Sequence, residues 1–139
     1  MKIIFMGNPE FACSSLEVLN KSKHQVVGVV SNPPKRMKRS KDVSYTPIGN
    51  LAKKLNLNLF TIDNLSNPDL KDWIVRIDPD IIIVVAFKIL PKPITEIPGV
   101  IAMNLHASLL PKYRGAAPIQ HALMNGDDFT GNTTFLIQP

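Results

Sequence analysis

The sequence predicts a doubly wound α/β domain built on a mostly parallel sheet. Apolar runs of strand length, at residues 2–6, 24–30 and 80–86, alternate with segments whose apolar residues recur at helical spacing. The run after Asp80 has no polar face, so it needs cover on both sides, as the helices of a parallel sheet provide. A chain of 139 residues, 45% hydrophobic and 19% charged, suits one packed domain rather than a disordered segment.

Each element has its own signal. Residues 2–6 form a buried strand closed by Gly7-Asn8-Pro9, and Pro9 suits the first turn of a helix carrying Phe11, Leu16 and Leu19. Residues 24–30 form a second strand, ended by Asn32-Pro33-Pro34, after which a loop runs to about Thr46. Thr46-Pro47 reads as N-cap and first position of a helix over Ile48, Leu51, Ala52 and Leu55. A short strand at 57–60 and a helix at 68–77, with Leu70, Trp73, Ile74 and Ile77 on one face, come next. Pro91 and Pro93 start a short helix, residues 100–105 form a strand, 117–124 a helix, and 132–137 a last strand.

Composition excludes several classes. The single cysteine, Cys13, cannot form an internal disulfide framework or a multi-cysteine zinc site, and its helical position makes it structural. The longest apolar run, 81–87, is strand-sized, so neither a membrane span nor a secretory leader is expected and the protein reads as soluble and cytoplasmic. No metal-ligand spacing is present, and the one glycine of the first turn, followed by Glu10, does not make a dinucleotide fingerprint. The net charge of +5 is locally concentrated: Lys35, Arg36, Lys38, Arg39 and Lys41 have only Met37 and Ser40 between them. Such a cluster suits a phosphate backbone. A solvated loop explains it equally well, and the cluster alone does not choose.

Candidate chemistry lies near residue 104. In an extended chain Asn104, His106 and Ser108 share a face, which brings an amide, an imidazole and a hydroxyl to the carboxyl end of a strand, where open α/β sheets hold ligands. An imidazole exchanges protons near neutral pH, and an amide N–H is a neutral donor for an oxyanion. A polar strand end that merely caps its own loop is the competing reading. Pro111, Arg114 and Gly115 follow in what reads as a loop wrapped around a small ligand.

Residues 104–120, NLHASLLPKYRGAAPIQ, resemble the signature of the folate-dependent formyltransferases. The stretch RGAAPIQ is similar to those members that act on methionyl-tRNA, and IIFMGNPEFA, IIIVVAF and NGDDFTGNT extend the likeness over nearly the whole chain. The resemblance implies a Rossmann-like formyltransferase fold, incomplete at its C-terminal end, with residues 1–139 as a truncated N-terminal domain and a tRNA-binding C-terminal domain absent. It implies 10-formyltetrahydrofolate as formyl donor and initiator methionyl-tRNA as acceptor; the sequence does not disclose the oligomeric state, and a monomer is the favoured expectation. By the same resemblance Asn104 and His106 are catalytic, and Val84, Val85, Ala86, Phe87, Ser108, Leu109, Leu110 and Pro111 bind the folate. The basic cluster then corresponds to a tRNA-binding loop, with Arg39 and Lys41 at its basic positions.

Departures from the pattern leave alternatives open. The family's catalytic aspartate is expected a few residues beyond Pro139, and Asp127 and Asp128 belong to an earlier loop. The usual Ala-aromatic-Gly turn reads Ala86-Phe87-Lys88 here. A formyltransferase acting on purine precursors or sugar amines, and a non-catalytic folate- or RNA-binding remnant, are the competing expectations.

Overall fold

The computed structural model describes residues 1–36 and 42–138. In chain order the elements are β1 (Lys2–Gly7), a 3-10 turn (Glu10–Ala12), α1 (Cys13–Lys21), β2 (Gln25–Ser31), β3 (Lys35–Arg36), β4 (Val43–Ser44) and α2 (Pro47–Lys54). They continue with β5 (Leu59–Thr61), α3 (Pro68–Ile77), β6 (Ile81–Val85), α4 (Lys92–Thr95), β7 (Ile101–His106), α5 (Pro118–Met124) and β8 (Thr133–Leu136). The main sheet has the order β5-β2-β1-β6-β7-β8, parallel throughout except for β8, which runs antiparallel to β7. This is the doubly wound, mostly parallel α/β architecture that the alternating pattern predicts.

Period-two alternation separates two cores. Ile3 and Phe5 of β1 with Ile81, Ile83 and Val85 of β6 pack against Leu16 of α1 and Ile48, Leu51 and Ala52 of α2. Ile4 and Met6 with Ile82 and Val84 face the other way, onto Leu70 and Ile74 of α3 and Ile94 of α4. All five β6 residues are buried, as an apolar strand with helices on both faces requires. At about 1.5–3 kcal/mol per fully buried large aliphatic side chain, this strand holds the centre of the domain.

The helices start where their caps place them. The Thr46 hydroxyl accepts from Gly49 N at 3.0 Å, and the Asn67 side chain accepts from Asp69 N at 3.0 Å; each is followed by proline at the first helical position. Cys13 packs against the α1-side core. The region expected as an open basic loop contains the short antiparallel pair β3–β4 instead. Its four exposed residues are too few to show any hydrophobic period.

Strand order reverses between β1 and β6, and this opens a crevice at their carboxyl ends. Gly7 sits there in close quarters: a β-carbon on it would lie 2.8 Å from the Val85 carbonyl oxygen and 3.2 Å from the Ala12 side chain. Gly7→Ala is expected to lower unfolding free energy by about 1–3 kcal/mol, read by denaturant unfolding with the sole tryptophan, Trp73, as reporter. An unchanged midpoint would show that the crevice tolerates a side chain at this corner.

Candidate active site

A cleft of about 730 Å³ opens at this reversal and extends to the end of β7. Three chain segments make its walls. Pro9 and Phe11 follow β1, Ala86, Phe87 and Ile89 follow β6, and Asn104 and His106 stand at the end of β7. The roof is the loop from Leu110 through Arg114 to Ala117, together with the start of α5. Among the lining residues Arg114 alone carries a fixed charge.

Strand alternation brings Asn104 and His106 together but does not reach Ser108. β7 ends at His106, and beyond that residue the chain is no longer extended. Ser108 is fully buried, with its hydroxyl donating to the Lys112 carbonyl at 2.7 Å. That bond closes the loop on itself. Thr133 of β8 braces the same loop, donating to the Ser108 carbonyl at 2.7 Å and accepting from Leu110 N at 3.1 Å.

The other folate-binding candidates divide by position. Ala86, Phe87 and Leu110 line the cleft. The side chains of Val84 and Val85 are committed to the two cores beneath it, on opposite faces of the sheet. Leu109 and Pro111 line a second, smaller cleft of about 570 Å³, bounded on its other side by residues 126–130. Lys35 and Arg36 are exposed on β3, whereas Lys38, Arg39 and Lys41 lie outside the described residues. Sequence reasoning placed Phe11 on a helix face and overlooked Ile89 and Phe135. Phe11 and Ile89 follow the carboxyl ends of β1 and β6, the strands that flank the reversal, whereas Phe135 reaches the cleft from β8, paired with Asn104.

The backbone around the cleft is held in uncommon conformations. Ala86, Tyr113 and Ala117 have φ of 49°, 54° and 54°, a region that non-glycine residues enter at a cost of order 1 kcal/mol or more each. The polar geometry is specific: His106 Nε2 lies 2.8 Å from the Tyr113 carbonyl oxygen. Among the described residues neither the Asn104 side-chain amide nor His106 Nδ1 has a hydrogen-bond partner. Cys13 is no rival nucleophile. Burial first, and then Glu10 and Glu17, push its thiol pKa up and keep it protonated. Among the described residues no group of three His, Cys, Asp or Glu side chains could hold a metal ion, and no helix is long and apolar enough to cross a membrane.

Comparison with known proteins identifies the family and the fold. A family-wide sequence profile described as "Formyl transferase" matches residues 1–138. A protein from Sulfurihydrogenibium sp. (strain YO3AOP1) named methionyl-tRNA formyltransferase is 47% identical over 133 residues, covering 94% of this chain and 43% of that protein. The chain therefore spans less than half the length of that relative. Among solved structures, a phosphoribosylglycinamide formyltransferase from Streptococcus pneumoniae TIGR4 superposes with a TM-score of 0.75 at 18% identity, over 99% of this chain and 73% of that one. A formyltetrahydrofolate deformylase from Pseudomonas syringae pv. tomato superposes at 0.70 with 16% identity, over 99% of this chain and 46% of that one. At these identities the superpositions establish the shared fold.

Lys88 gives the cleft wall an anchor of its own. Its ammonium donates to the Asp63 carboxylate at 2.6 Å and also to the Asp63 carbonyl oxygen, tying the turn after β6 to the loop after β5. The hydrogen bond from Lys88, then its charge, with a further contribution from Lys35, hold the Asp63 carboxyl below its ordinary 3.8. A depressed carboxyl pKa means that the pair's stabilisation is present above the unfolded value and disappears as pH falls through the folded one. Lys88→Met is expected to return Asp63 towards 3.8 in a carboxyl NMR titration. Its stability deficit relative to the parent should close in acid. Identical Asp63 titrations in the two proteins would remove the tether.

Proposed function

Because the chain belongs to the formyl transferase family, we propose that it forms the catalytic N-terminal part of an enzyme that moves a formyl group from 10-formyltetrahydrofolate to the amino group of initiator methionyl-tRNA. The observation that carries this reading is the placement of Asn104 and His106 together at the end of β7, inside the cleft at the sheet's reversal. The name and 47% identity of the Sulfurihydrogenibium relative support the acceptor. The folate-named structural neighbour is compatible with the donor.

The chemistry suits these side chains. Attack of the amine nitrogen on the formyl carbon forms a new C–N bond, leaves negative charge on the formyl oxygen and leaves the attacking nitrogen with a proton to shed. The Asn104 amide supplies a neutral N–H donor to that oxygen, and a low-dielectric cleft increases its effect. His106 serves the proton: the amine's proton leaves, and the folate nitrogen gains one as its bond to the formyl carbon breaks. Phe11, Phe87 and Leu110 offer apolar walls for a flat heteroaromatic ring. The exposed pair Lys35 and Arg36 on β3 suits contact with tRNA phosphates, which adds affinity without selecting the tRNA.

In the full-length protein His106→Ala should reduce kcat about 10²-fold or more, and Asn104→Ala about 10²–10³-fold. Turnover is to be compared on methionyl-tRNA, glycinamide ribonucleotide and nucleotide-linked amino sugars. Near-normal rates in both variants would remove the pair from catalysis, and turnover of a sugar amine alone would replace the tRNA acceptor. Lys35→Ala with Arg36→Ala should weaken tRNA binding and flatten its dependence on salt by about one logarithmic slope unit for each phosphate no longer neutralised. An unchanged slope would make the hairpin a solvated surface.

A further inference from the structure

We propose that Tyr113 is a positioning residue for His106, clamped by Asp127, Asn125 and His121 so that its main-chain oxygen dictates which imidazole nitrogen carries the proton. This deepens the formyl-transfer reading and depends on it for its catalytic consequence, although the clamp itself is a matter of geometry.

A carbonyl oxygen only accepts, so the 2.8 Å contact makes Nε2 the protonated nitrogen of His106 and leaves the lone pair of the neutral ring on Nδ1. That assignment lasts only while the Tyr113 carbonyl stays in place. Tyr113 sits at a φ of 54°, a conformation that an aromatic residue keeps only when its surroundings enforce it. The enforcement comes from the tip of the side chain. The phenol donates to Asp127 Oδ2 at 2.8 Å and accepts from Asn125 Nδ2 at 3.0 Å, while the ring stacks on His121 with centroids 6.1 Å apart and planes 8° from parallel.

The clamp stands on firm ground. Asn125 N and Asp127 N bond back to the His121 and Ala122 carbonyls at the end of α5, so the groups that grip the ring belong to the helix terminus. On the other side of the loop, the Ser108 hydroxyl fixes the Lys112 carbonyl immediately before Tyr113. Asp127 lies in the wall of the smaller cleft, away from the reacting groups. It acts through Tyr113 and the tyrosine's carbonyl. The arrangement lets His106 accept the amine's proton on Nδ1 while Nε2 remains engaged, and the imidazolium formed keeps the same orientation.

The test uses full-length protein labelled with ¹⁵N-histidine, at about pH 9, well above the ~6.5 of an unperturbed imidazole. A protected His106 Nε2–H resonance is expected. In Tyr113→Phe, which keeps the ring and its stacking, that proton should exchange with water at least tenfold faster, and kcat should fall about tenfold with both KM values unchanged. Asp127→Leu should behave like Tyr113→Phe, whereas Asp127→Asn retains an acceptor for the phenol and should stay within about threefold of the parent. Circular dichroism and Tm identify any variant that has lost its fold, and Tyr113→Phe and Asp127→Asn are mild enough to serve if Asp127→Leu fails. A parent protein protonated at Nδ1, or a Tyr113→Phe variant with unchanged Nε2–H exchange, would overturn the clamp. A protected Nε2–H without formyl transfer to any amine would uphold the clamp and sink the functional reading.

Discussion

The arrangement of this domain depends on the burial of one strand on both faces. Ile81, Ile83 and Val85 fill the core under α1 and α2, and Ile82 and Val84 fill the core under α3 and α4. Among the described residues no other strand is buried along its whole length. Because β6 pairs in parallel with β1 on one side and β7 on the other, the carboxyl ends of all three strands are held at the same edge. The crevice between β1 and β6 follows from that pairing, and so does the exposure of the Asn104–His106 end of β7 to the same space. A slip of one residue in β6 would exchange its two faces and carry both cores with it.

What the sheet cannot specify is the shape of the loops above it, and a different kind of interaction supplies that. Three non-glycine residues at the cleft have positive φ, and ties near two of them oppose relaxation. Lys88 anchors the turn that begins at Ala86, through an exposed ion pair that contributes modestly on its own. Ser108, Thr133 and the tyrosine clamp hold the loop that contains Tyr113. Hydrophobic burial therefore positions the strands, and short polar contacts position the groups that would meet substrate. This division suits a catalytic site, where donors must be set before charge develops rather than drawn in by it.

Legibility in the sequence followed the same division. The helix at 68–77 was readable to the residue because Pro68 and a one-sided apolar face mark it, and β6 was readable because an unbroken β-branched run admits few alternatives. Asn104 and His106 were readable as a pair because alternation is a property of extended chain. Ser108 fell outside that rule, since the strand stops at His106, and only the loop's hydrogen bonds reveal its structural duty. Val84 and Val85 stand close in sequence to the cleft wall but turn into the cores, and the wall proper begins at Ala86. The clamp on Tyr113 was hidden for another reason. It joins residues 8 to 14 positions apart through side-chain tips, and no periodicity of a helix or strand encodes such a contact.

The cleft is lined by apolar groups, the neutral amides of Asn104 and Gln120 and an imidazole, with Arg114 as its one fixed charge, while Lys35 and Arg36 stand outside it on β3. In the proposed reaction the amine and the formamide-like donor are both uncharged in their reactive forms, so a site crowded with fixed charges would bind ions better than it would stabilise the oxyanion between them. For that proposed step, neutral donors aimed at the developing oxyanion favour the transition state over the reactants, which is the condition for accelerating it. The proposed polyanionic acceptor requires the opposite environment, a solvated basic surface that attracts phosphate without entering the chemistry. Placing the two environments on separate elements allows each to be tuned without cost to the other, and it accounts for a basic chain whose reactive cleft is nearly uncharged.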